Sequence, residues 1–219
     1  MAMRVHISKL KEDSIKVFED SLMPNGALVA APTHQPYYPI DAKSYLYSWP
    51  GRDGGFSLAA MILLGKDYYR PFLMWLWERA EDFQTSHDPF IEGLLFRNYH
   101  VNGHMKLTSF QPDQAGTLLW SIGFKNIITK KRPTSLEKQI VKKLADGLVR
   151  VWDKRHFKMS IEELWEERQL EPLEGVFTYS LAACATGLSE AHRLIKHKKA
   201  KSVAKEMRDM LLEECWSKN

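Results

Sequence analysis

The sequence predicts an all-α fold of helical hairpins whose long loops gather at one end. Three observations carry the prediction. Apolar residues recur at helical spacing in successive stretches, almost wholly apolar segments alternate with amphipathic ones, and no strand-rich block interrupts the series. Such alternation suits an inner ring of helices lying inside an outer one.

The first helix is expected from Ser8 to Leu22, where Leu10, Ile15, Val17, Phe18 and Leu22 alternate with charges until Pro24-Asn25-Gly26 stops the pattern. Residues 24 to 53 carry five prolines and read as a long ordered loop with one brief strand at Ala27 to Ala31. Gly54 to Leu64 is nearly all apolar and reads as a buried helix. Lys66 to Phe83 continues as an amphipathic one, the pair turning at Gly65. Gln84 to Gln111 is polar and suits short extended pieces or a second long loop.

Pro112-Asp113 opens a helix to about Ile128, with Asp113 placed on its N-terminal dipole. Thr134 or Ser135 caps the next helix, to about Trp152, with Lys138 rather than Glu three residues after Ser135. A loop over residues 153 to 175 follows, then a small-residue helix from Phe177 to Ile195 and a basic amphipathic helix from His197 to Trp216.

The chain has 219 residues and is 44% hydrophobic with seven Trp, which is enough for one ordered domain over residues 1 to 219. Its charge of +4 comes from 31 basic and 27 acidic residues, too small an excess for a nucleic-acid binder. No run approaches the length of a membrane span, and the start at Met1 has no apolar signal core. Two cysteines make no disulfide framework. Together these predict a cytoplasmic protein with no membrane or nucleic-acid partner.

Two clusters carry chemistry. Tyr45-Leu46-Tyr47-Ser48-Trp49-Pro50-Gly51-Arg52-Asp53 offers aromatic faces for the apolar side of a pyranose beside a donor fork and an acceptor for its hydroxyls. Leu164-Trp165-Glu166-Glu167 offers two carboxylates beside an indole. Adjacent glutamates point about 100° apart on a helix or to opposite sides of a strand, so they are a poor catalytic pair. One reads as a general acid and the other as an acceptor for sugar hydroxyls, with Trp165 excluding water. The same residues also fit a capping box after Ser160, a surface ion pair at Arg52-Asp53, and ordinary aromatic packing. His100 and His104 lack the following acid of a metal site, and no metal or cofactor is expected. The lysines from Lys196 to Lys205 read as a solvated helix face.

Beyond spacing, Gly26-Ala27-Leu28-Val29-Ala30-Ala31-Pro32 followed by Tyr45, Tyr47, Trp49, Arg52 and Asp53 resembles the opening of the glucoamylase family, glycoside hydrolase family 15. Phe110-Gln111-Pro112-Asp113 and Leu164-Trp165-Glu166-Glu167 with Phe177-Thr178 resemble two further family segments, in the same order. The resemblance implies an (α/α)6 toroid, the six-hairpin glycosidase architecture, of which this chain covers about the N-terminal half. It further implies inverting exo-hydrolysis of α-linked glucose oligosaccharides or polysaccharides in carbohydrate metabolism. Glu166 matches the general acid and Glu167 a substrate-binding carboxylate. Arg52 and Asp53 match the pair holding a terminal glucose, with Tyr45 and Trp49 around it. Two departures follow. Pro50-Gly51 stands where the family has one residue, which predicts displacement of Trp49 or of the Arg-Asp pair. The general base belongs to the other half, so activity is expected only with a second chain or copy that completes the toroid and covers exposed inner helices. The alternatives are a non-catalytic α-glucan-binding or regulatory module and a helical interaction protein.

Overall fold

A computed structural model describes residues 2–39 and 45–215, with side chains from Ile7 onward. Trp216, the expected end of the last helix, lies outside the described residues. Among them are seven α-helices: α1 (Ala2–Ser21), α2 (Arg52–Leu63), α3 (Tyr69–Arg79), α4 (Pro112–Thr129), α5 (Ser135–Val151), α6 (Thr178–Ile195) and α7 (Lys198–Met210). A wider π-turn, Leu211–Cys215, ends the last of them.

The even-numbered helices form one row, α2 against α4 and α4 against α6, while α3, α5 and α7 lie behind it. The architecture is a partial helical toroid, with the even helices as an arc of the inner ring. Sequence explains which helices go where. α5 presents Ile140, Val141, Leu144 and Leu148, all buried, along one face, whereas α4 buries residues all round its first three turns. The core joins Tyr69, Phe72 and Trp75 of α3 to Leu118 and Ile122 of α4, Leu144 and Leu148 of α5, Leu181 and Leu188 of α6 and Met207 of α7.

The inner row packs unusually closely because small residues meet. A Cβ on Gly187 of α6 would stand 2.3 Å from the Gly116 carbonyl oxygen of α4. The opposite face of the row is not covered by the described residues. Phe56 and Trp120 lie 5.4 Å apart, Trp120 stacks on Phe124 at 5.5 Å, and Phe56, Leu63, Ile127 and Tyr179 are exposed. A pocket of about 230 Å³ lies there between Phe56, Trp120, Tyr179 and Thr186.

Elsewhere the structure chooses between the expectations or corrects them. The polar segment 84–111 holds a hairpin of β2 (Phe96–His100) and β3 (Met105–Phe110), and β1 (Tyr47–Ser48) adds to β2 to make a three-stranded antiparallel sheet. The loop 153–175 is organised by two small hairpins, β4 (Trp152–Asp153) with β5 (His156–Phe157) and β6 (Ile161–Glu162) with β7 (Gln169–Leu170). The N-cap of α5 is Thr134, with Glu137 closing a reciprocal capping box, so Ser135 and Lys138 are not the relevant pair. Glu137 is buried because it also binds Lys125 Nζ at 2.7 Å.

Candidate active site

The loop ends of the inner helices meet the small sheets at one place, and a chain of polar side chains fills it. Trp49 leads into α2 and is 7% exposed. Gly51 follows, where an added Cβ would fall 1.8 Å from the Gln114 carbonyl oxygen, so only glycine fits between α2 and α4. This close approach lets the Gly51 and Arg52 amides both donate to Gln114 Oε1 at 2.8 Å. Arg52 is thereby fixed at the first position of α2, buried, with Nη1 3.3 Å from Asp113 Oδ2 and Nε 3.6 Å from Asp53 Oδ1.

Glu166 comes to this point from the turn of the β6–β7 hairpin, in left-handed backbone geometry at φ 64°. Its Oε1 accepts from Trp49 Nε1 at 2.8 Å and lies 3.6 Å from Arg52 Nη2. Its Oε2 accepts from Arg97 Nη2. The Arg97 Nη1 donates to Glu162 Oε1 at 3.1 Å, and Glu162 Oε2 accepts from Gln111 Nε2, also at 3.1 Å. Two arginines, three further carboxylates and two glutamines thus surround one glutamate.

Burial sets the electrostatics. Asp113, at 0% exposure, has its carboxyl pushed above the ordinary aspartate range by loss of solvation, with Arg52 pulling it back. Asp53 and Glu162 are raised for the same first reason; Arg52 and Arg97 oppose the shift, and the Glu166 charge adds to it in both. A carboxyl raised in the folded state holds its proton where the unfolded chain has lost it. Folding stability then falls as pH rises from the ordinary aspartate value, about 3.9, to the raised one. Replacing Asp113 by Asn removes one such proton. Urea unfolding at stepped pH should show the wild-type advantage over Asp113→Asn falling through that window, by up to about 1.4 kcal/mol per pH unit. A pH-independent difference rejects the assignment.

No protein-family model matches the chain. It is 31% identical over 173 residues to an uncharacterised glycosyl hydrolase of Methanocaldococcus jannaschii, covering 78% of this chain and 24% of that protein. A wild-type glycosidase superposes with a TM-score of 0.70 at 20% identity, over 96% of this chain and 57% of its own. A variant of a glycosidase in complex with glucose gives 0.72 over the same shares, at 20% identity. The chain has a glycosidase fold. A glucoamylase from Saccharomycopsis fibuligera shares that fold less closely, with a TM-score of 0.56 at 17% identity, over 86% of this chain and 42% of its own. The chain spans about a quarter of the length of the curated relative and little more than half that of the glycosidases.

Within that glycosidase fold the residues singled out from sequence divide into two groups. Trp49, Arg52, Asp53 and Glu166 come together. Tyr45, 46% exposed, and Tyr47 lie 6.3 and 6.5 Å from the Trp49 ring and edge the cluster. Pro50-Gly51 does not separate Trp49 from Arg52, since both reach the same Glu166 oxygen. Trp165 is 76% exposed at the hairpin tip and Glu167 is exposed beside it, so neither joins the described cluster. Trp165 does not shield Glu166: its side chain lies open at the hairpin tip, and the Glu166 carboxylate is held instead by Trp49 and Arg97. The capping-box reading of this segment fails, because a hairpin rather than a helix follows Ser160.

Sequence reasoning singles out neither Arg97 nor Glu162, and it names Gln111 and Asp113 only within the segment resembling a glucoamylase motif, with Asp113 also on the helix dipole; none of these, nor Gln114, receives a role in the site. The Gln111 and Gln114 pair, one turn apart where α4 begins, was the available signal. Arg97 had none, being placed by strand pairing. Among the described residues no group of three or more His, Cys, Asp or Glu is arranged to hold a metal. None of their helices is long and apolar enough to cross a membrane.

Proposed function

We propose that this chain is the proton-donor half of an inverting exo-glycosidase that acts on α-linked glucose oligosaccharides or polysaccharides. The observation that carries the reading is the convergence on Glu166 of Trp49 and Arg52, with Asp53 alongside, from elements more than a hundred residues apart. Residues 1 to 219 form one all-α unit corresponding to the N-terminal half of a glucoamylase catalytic domain. Its two free cysteines suit the cytoplasm.

Arg52 and Asp53 grip hydroxyls of the terminal glucose, while Tyr45, Tyr47 and Trp49 offer ring faces. Glu166 donates its proton to the departing glycosidic oxygen, and Glu167 and Trp165 meet the sugar beyond the bond. Inversion needs a second carboxylate about 6.5–9.5 Å away with room for water. Asp113 and Glu162 are buried and bound by arginines, so neither can activate water. The resemblance to the glucoamylase family assigns the base to the half of the toroid outside this chain, on another polypeptide, a second copy or a further segment that also covers the exposed inner-helix face.

A non-catalytic α-glucan-binding module is the second reading. It is favoured by the fact that both Glu166 oxygens are already occupied by cationic or N–H donors. Titrating intrinsic Trp fluorescence with maltose and acarbose, beside a glucose-release assay, separates the two. Saturable binding that disappears in Trp49→Phe, with glucose released once the toroid is complete, supports the hydrolase. Binding without release in the completed assembly supports the module, and absence of both signals rejects each.

A further inference from the structure

We propose that Arg97 is the positioning residue of this site, clamping Glu166 against the Trp49 indole through a relay anchored by Glu162 and Gln111. The inference rests on the reading of Glu166 as proton donor and extends it to a residue that never touches substrate.

The relay is built from three separate elements. Arg97 lies on β2 between buried Phe96 and Asn98, and its carbonyl accepts from Gln114 Nε2 at 3.1 Å, which fixes its backbone against α4. The guanidinium spans two carboxylates, one Nη on Glu162 and the other on Glu166. Glu162, 6% exposed on β6, is held on its far oxygen by Gln111 Nε2, which also donates to the Glu163 carbonyl at 3.2 Å. Gln111 is itself fully buried where α4 begins.

Glu166 needs such a tether. It sits in a hairpin turn, in a backbone conformation that glycine favours, and its like-charged neighbour Glu162 lies on the same guanidinium. Without the cation between them, the two carboxylates repel, and Glu166 is left with Arg52 Nη2 at 3.6 Å and the indole alone, which loosens its hold on Trp49. A lysine ammonium is a point charge without the planar fork, so it cannot hold both carboxylates in this geometry. The relevance to catalysis is positional, since a displacement of about 1 Å in a reacting group costs on the order of a hundredfold in rate.

Solvent exchange of the Trp49 indole proton in the ¹⁵N-labelled full chain tests the clamp without relying on activity. The signal is identified by its loss in Trp49→Phe. The Trp75 indole, which donates to the Val101 carbonyl at 2.8 Å, serves as the internal control for global loosening. Arg97→Met and Arg97→Lys should each accelerate Trp49 exchange by roughly tenfold or more while Trp75 stays protected. Glu162→Gln should move it in the same direction, and the double variant Arg97→Met/Glu162→Gln no further than Arg97→Met alone.

Unchanged Trp49 exchange in Arg97→Met, restoration by Lys, or equal acceleration of Trp75 overturns the proposal. If Arg97→Met does not fold, Glu162→Gln decides the matter by the same criterion. Absence of glucose release with the exchange pattern intact sinks the hydrolase reading and leaves the clamp. Release with the pattern absent does the reverse.

Discussion

Glu166→Gln, in a completed assembly that releases glucose from maltooligosaccharides, is expected to lower kcat by about 10²–10⁴-fold with little change in maltose binding. The substitution keeps the shape of the side chain and its acceptor oxygen toward Trp49, so the indole hydrogen bond survives. It removes the proton that would pass to the leaving oxygen. It also removes the charge shared by Arg52 and Arg97, and this second effect must be separated from the first. Asp53 and Glu162 provide the separation: each still holds one of the arginines, so the thermal midpoint should fall far less than turnover. Glu167→Gln is the companion measurement. Glu167 is exposed and outside the relay, and its loss should act on KM more than on kcat. Unchanged turnover in Glu166→Gln sinks the assignment of the acid, whatever the binding result.

Gly187→Val is expected to damage the packing of the inner row severely. The new Cβ would meet backbone atoms of Gly116, the nearest at 2.3 Å, and no rotamer change can relieve a backbone contact. α6 must then move off α4, opening the inner row and loosening the core on both sides of it. Overpacking of this kind costs about 3 kcal/mol. For a chain of this size that lowers the melting midpoint by roughly 6–12 °C. Urea unfolding should show a lower midpoint with an unchanged slope; a loss below about 0.5 kcal/mol would mean that the helices do not touch there.

The helices were legible because each writes its own period into the chain. α5 repeats apolar residues on one face, and α4 repeats them on all faces, which is enough to tell outer from inner. Of the strands, only β2 and β3 lie where the sequence suggests short extended pieces, and the shorter ones were not legible. β1, β4, β5, β6 and β7 have two residues each, too few for an alternating pattern, and they exist because a distant partner is brought alongside. The site divided for the same reason. Arg52, Asp53 and Glu166 stood within compact clusters of unusual composition, whereas Arg97 and Glu162 are ordinary charged residues until folding buries them together. In the sequence Asp113 stands on the helix dipole and within a family-like segment, yet its burial against Arg52 decides its chemistry, and burial is a property of the tertiary structure. Trp165 adjoins Glu166 in the sequence, yet its ring lies open at the hairpin tip while the Glu166 carboxylate reaches Trp49.

The hydrogen bond from Trp49 to Glu166 closes a loop of 117 residues. Contacts of such sequence separation carry a large closure entropy and form after the local ones. α2, α4 and α6 must already be assembled before the indole and the carboxylate can meet. The site is thus a late product of folding, and the hairpin carrying Glu166 should be among the first parts to detach when the native state opens. Proteolysis within residues 163–168 under mildly destabilising conditions would therefore disarm the molecule while most of its helices remain in place.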